Sequence, residues 1–100
     1  TAKRMIEKHE GLRLKPYRCP AGKLTIGYGR NLDDVGISHD EAEYLLRNSL
    51  QVAVSDASAA CRQYGIGIES LDENVQIALI CMAYQLGFSR LCQFKRFFAA

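Results

Sequence analysis

Glu10, Cys19 and Thr25 are the side chains best suited to chemistry in this sequence: a carboxyl, a thiol and a hydroxyl within the short stretch EGLRLKPYRCPAGKLTIGYG. A glutamate at the C-terminal end of a helix feels the negative end of the macrodipole, and partial burial adds to the preference for its neutral form. So placed, Glu10 suits a general acid that hands its proton to a leaving oxygen. The plainer reading is a solvated glutamate that ends a helix. A free thiol with an ordinary pKa of about 8.5 is mostly neutral at pH 7, and a neighbouring cation raises its thiolate fraction. Arg13, Lys15, Arg18 and Lys23 are the candidates for that role beside Cys19. Thr25, Gly27 and Gly29, taken alone, read as a strand residue followed by two permissive glycines. They lack the spacing and the βαβ setting of a phosphate-binding loop.

The remaining cysteines, Cys61, Cys81 and Cys92, form no CxxC pair with one another or with Cys19, which argues against a zinc knuckle or a dithiol redox centre. No metal site and no cofactor are expected. Cys81 and Cys92 lie in apolar sequence, where a thiol behaves as a small hydrophobe. Oxidation of Cys19 would block any chemistry it takes part in, and spacing favours none of the other three as its partner.

Elements with defined ends must hold these groups. The 100 residues, 48% hydrophobic and 24% charged, fit one compact unit with a thin stability margin. TAKRMIEKHE reads as a short helix ending near Glu10, with Gly11 as its terminator. From Leu14 to Tyr28, Pro16, Pro20 and Gly22 punctuate short runs that suit small antiparallel strands. Ser38 with Glu41 is a capping box, and Ala42, Leu45, Leu46, Ala53, Ala57 and Ala60 follow in helical register. A helix from there to Tyr64 would span roughly 40 Å, long enough to connect two lobes. Ser70 with Glu73 forms a second box, opening a helix that carries Val75, Ala78, Leu79, Met82 and Leu86 and closes at Gly87. Ser89 suits the cap of a last segment, Arg90 to Ala100, in which cations interleave with Phe94, Phe97 and Phe98 as in an amphipathic packing helix.

The net charge of +2 is too small and too evenly mixed to point to nucleic acid. With no run of about 18 apolar residues, stable membrane insertion of this chain is not expected. Thr1 in place of an initiating Met is compatible with removal of an N-terminal signal or anchor.

The stretch from Glu10 to Gly29 resembles the active-site signature of phage-type lysozymes, the endolysins of tailed phages. In that family a glutamate ending the first helix is followed after eight residues by aspartate or cysteine, and after five more by threonine. Glu10, Cys19 and Thr25 match that spacing, and the resemblance continues through GRNLDDVGISHDEAEYLL and SLDENVQIALICMAYQLG. It implies an α+β, lysozyme-like single domain over residues 1–100. Its parts would be an active-site lobe with a small sheet (1–37), a connecting helix (38–64) and a mainly helical, partial second lobe (65–100). The implied activity is hydrolysis of the bond between N-acetylmuramic acid and N-acetylglucosamine in bacterial peptidoglycan. The family inverts: Glu10 supplies the acid, while Cys19 positions or activates the attacking water and Thr25 holds it. Asn31 and Tyr84 match the family's saccharide contacts, and Arg30 stands where many relatives carry His. Synthesis in the host cytoplasm and action on the wall in the periplasm follow from the same resemblance.

Relatives run well past Ala100, so the chain reads as C-terminally shortened. A different class of function is therefore weighed beside the enzyme: a non-catalytic peptidoglycan-binding or assembly fragment that completes its core by self-association. Exposed apolar surface would mark it.

Overall fold

The computed structural model describes residues 1–94. It divides into two compact units, Thr1–Ala42 and Glu43–Ala100, the boundary falling in the first turn of a long helix. The described elements are helices and a small antiparallel sheet of three strands, the α+β class the sequence implies.

The first unit opens with α1 (Ala2–Glu10), whose N-terminus is capped by Thr1, the hydroxyl accepting from the Arg4 N–H at 3.4 Å. The helix stops where the sequence predicts, at Gly11 (φ 68), whose N–H donates to the Glu7 carbonyl. Strands β1 (Arg13–Arg18), β2 (Leu24–Gly27) and β3 (Arg30–Asn31) follow in sheet order β1-β2-β3. The sheet thus reaches past Tyr28 into β3, two residues that are too short to leave a period in the sequence. Pairing sets Tyr17 opposite Thr25 and Thr25 opposite Asn31. The register slips once: between the Arg13↔Gly27 and Tyr17↔Thr25 pairs, β1 spends Leu14, Lys15 and Pro16 against Ile26 alone. Such a bulge re-aims side chains at a sheet edge.

Ser38 begins the next element as a capping box. Its hydroxyl accepts from the Glu41 N–H (3.1 Å) and its own N–H donates to Glu41 Oε1 (2.8 Å). The helix, α2, runs His39–Gln63.

In the second unit, the later part of α2, a 3₁₀ turn (Ile68–Ser70) and α3 (Glu73–Leu91) share one core. Ala53, Ala57, Ala60 and Cys61 line one face of α2 and are buried with Ile68, Leu79, Ala83 and Leu91. The three alanines set small side chains along one stripe of the helix. The predicted register is buried at these alanines and left uncovered nearer the N-terminus, where Ala42, Leu45 and Leu46 are exposed. The second predicted box also fails. The Ser70 hydroxyl donates to the Gly67 carbonyl inside the 3₁₀ turn, and Asp72 caps α3 instead, accepting from the Asn74 N–H at 2.9 Å. An aspartate directly before the helix outcompetes a serine two residues further out. Gly87 (φ 79, ψ 172) does interrupt the helix, as a kink that only glycine adopts without strain. A short helical run containing Ser89 then continues to Leu91, so Ser89 is not an N-cap. The rest of that predicted last segment, from residue 95, lies outside the described residues. Cys81 is exposed rather than sheltered, Cys92 half-buried, and all four cysteines are free.

Candidate active site

Glu10, Cys19, Thr25 and Asn31 all fall in the first unit, and Tyr84 in the second. Helix α1 delivers Glu10 as its last residue, which places the carboxyl at the negative end of the macrodipole. The partial burial expected of it is absent, because α1 buries none of its residues and Glu10 is exposed. Its carboxyl lies against Gly29 in the tight turn between β2 and β3. A Cβ on Gly29 would stand 2.9 Å from Glu10 Oε2 and 3.2 Å from Cδ, and the glycine's φ is +80. Sequence reasoning treated Gly29 as a permissive turn residue and missed this approach; the TxGxG string was the available signal.

Thr25 is 3% exposed in the middle strand, its hydroxyl donating to the Lys23 carbonyl at 2.9 Å. Just before it, Cys19 and Gly22 close a turn: the Gly22 N–H donates to the Cys19 carbonyl (2.8 Å) and the Cys19 N–H to the Lys23 carbonyl (2.9 Å). The Cys19 thiol is held below its usual pKa, chiefly by the main-chain N–H of Lys23, against a desolvation that pushes the other way. The Ala21 N–H and the Thr25 hydroxyl assist. Thr25 has one proton to give, so its help to a thiolate competes with its bond to the Lys23 carbonyl. Main-chain amides therefore replace the side-chain cations expected to favour the thiolate. Those cations are occupied: Lys23 Nζ donates to Asp34 Oδ1 (3.3 Å), Arg18 lies 3.7 Å from Asp33, and the Arg13 guanidinium stacks 4.8 Å above the Tyr17 ring. Lys15 is exposed in the bulge.

Asn31 is engaged locally. Its Nδ2 donates to Asp34 Oδ2 and its Oδ1 accepts from the Asp34 N–H, both at 3.0 Å, so the side chain shapes the turn after β3. Asp33, which the sequence did not single out, accepts from the Leu24 N–H at 2.7 Å and fixes the start of β2. Arg30 answers the question its identity raised. Its Nη1 donates to Glu41 Oε1 at 2.7 Å and to the Gly36 carbonyl at 3.2 Å, tying β3 to the capping box of α2. First the bond from Arg30, then the Ser38 N–H, holds the Glu41 carboxyl down to about 2.

In the second unit Tyr84 is 49% exposed. It lines an open groove of about 420 Å³ with Ser49, Val52, Asp56, Ala83 and Gly87. Among the described residues, no group of three or more His, Cys, Asp or Glu side chains is arranged to hold a metal ion.

The family model for phage lysozyme matches residues 7–97, which includes all five candidate residues. An endolysin of Acyrthosiphon pisum secondary endosymbiont phage 1 is 46% identical over 50 residues. That match takes in 46% of this chain and 34% of the endolysin.

Proposed function

The chain belongs to the phage lysozyme family, and from that premise we propose that it is a peptidoglycan hydrolase cleaving the bond between N-acetylmuramic acid and N-acetylglucosamine. The observation that carries the reading is the first unit's arrangement. An acid stands at a helix end against a glycine turn, and a thiol with a lowered pKa sits beside a buried threonine. Glu10 donates its proton to the glycosidic oxygen as the bond from the anomeric carbon breaks. Water attacks that carbon from the opposite face, its oxygen forming the new bond as its proton leaves to solvent, with Cys19 positioning or activating the water and Thr25 holding it in line. The anomeric centre is inverted, and no covalent enzyme intermediate forms. Asn31 and Tyr84, which match the family's saccharide contacts, are each assigned to glycan binding. Lysis follows from this chemistry: the chain is made in the host cytoplasm and works on the wall in the periplasm.

Release of reducing-end sugar from purified peptidoglycan tests the proposal. A general acid contributes about 10²–10⁴-fold, so Glu10→Gln is expected to lower release by at least the lower figure while leaving the fold intact. Release that persists in Glu10→Gln would remove the assignment. A second reading has its own observation: Leu46, Leu50 and Val54, in register with the buried stripe of α2, are each 43% exposed or more. A non-catalytic fragment that binds the wall and covers this face by association would retain peptidoglycan without releasing sugar.

A further inference from the structure

The bulge in β1 is where the sheet departs most from what a folded chain needs. Leu14 is 81% exposed and Leu12 is 53% exposed, both beside cations. Pairing is interrupted over Leu14, Lys15 and Pro16, so these residues stand off the ladder at an edge strand. No Asp or Glu occurs between Glu10 and Asp33, while Arg13, Lys15, Arg18, Lys23 and Arg30 do. Of these five, Arg18, Lys23 and Arg30 meet carboxylates, and Arg13 and Lys15 make no ion pair among the described residues. The local surface is thus an apolar knuckle flanked by unneutralised positive charge.

We propose that this bulge is a docking surface for anionic lipid bilayers, with Leu12 and Leu14 entering the headgroup layer and Arg13 and Lys15 meeting lipid phosphates. Apolar area together with basic charge is what adsorbs a protein to an anionic membrane surface, and long cationic side chains keep their heads at the phosphate level while their stems lie along apolar groups. Strand addition by a protein partner is disfavoured, because the bulge breaks the ladder and Pro16 has no N–H to offer. A purely phosphate-bearing polymer would leave the two leucines without a role. Adsorption of this kind is peripheral. Among the described residues no helix is long and apolar enough to cross a membrane.

Flotation of the chain with vesicles tests this directly, using phosphatidylcholine alone and phosphatidylcholine mixed with phosphatidylglycerol, at low and high salt. The chain is expected to float with the anionic vesicles alone and to be released by salt. Arg13→Gln and Lys15→Gln should each weaken binding about five-fold, Leu14→Ser should weaken it further, and Arg47→Gln on α2 should leave it unchanged. Circular dichroism of each variant reports folding. Should Arg13→Gln unfold through loss of its stacking on Tyr17, Lys15→Gln and Leu14→Ser carry the test. Equal flotation of these variants and the parent, or equal binding to neutral vesicles, overturns the proposal. Capture of inorganic polyphosphate with no effect of Leu14→Ser does so too, and assigns the surface to phosphate polymers.

Discussion

At the scale of single residues, the candidate site depends on a glycine as much as on its acid. Any side chain at Gly29 meets two obstacles: a φ of +80, and a Cβ position 2.9 Å from Glu10 Oε2. The second is relieved if the flexible carboxyl swings away, so the stability cost of Gly29→Ala is mainly that of the left-handed backbone, about 1–2 kcal/mol. The displaced carboxyl is what the proposed reaction feels. We expect Gly29→Ala to lower the melting temperature modestly and sugar release by ten-fold or more. Retained release would show that Glu10 needs no such placement. The sequence offers Glu10, Cys19 and Thr25 as one constellation through their resemblance to the phage lysozyme signature, while their types alone leave each with a plainer reading. It misjudged what tunes Cys19, since the N–H groups of a turn have no residue code whereas nearby lysines and arginines are conspicuous. The resemblance offers Asn31 as a saccharide contact, and its bonds to Asp34 give that side chain a structural task beside any such contact.

Elements were legible wherever their ends are coded by side chains. Gly11 and the Ser38–Glu41 box mark the end of α1 and the start of α2 as the sequence predicts. The pair Ser70–Glu73 has the same code and fails, because Asp72 lies nearer the helix it caps. Strand β3 and the β1 bulge were illegible, as both arise from pairing rather than from periodicity. The Arg30–Glu41 bond joins two of these elements and makes the start of α2 sensitive to acid. Glu41 has a folded pKa of about 2, below its ordinary 4.5. Its contribution to stability is therefore fully present above about 4.5, and is lost as the pH falls through about 2. Acid denaturation followed by circular dichroism should show this loss in the parent chain and a flatter profile between those values in Glu41→Gln. Matching profiles would mean that the bond adds nothing to folding.

For the molecule as a whole, the decisive contrast lies between the apolar residues that are covered and those that are not. Leu79 and Leu91 are fully buried against the alanines of α2, whereas Leu46, Leu50, Val54 and Ile77 are roughly half exposed. The sequence marks the apolar positions of α2 and α3 but not which of their faces find partners, because helical period records polarity and not occupancy. In a chain of this size one core leucine is a large share of the stability margin. Leu79→Ala is expected to cost about 2–5 kcal/mol, near the limit of what the fold tolerates. Leu50→Ala, removing a side chain still 46% exposed, should cost well under half of that if the chain is monomeric. Denaturant unfolding at several protein concentrations distinguishes the cases. A small, concentration-independent effect of Leu50→Ala means that the face stands open in solution. A loss as large as that of Leu79→Ala, growing as the protein is concentrated, means that a second copy covers it, because only association makes stability depend on protomer concentration.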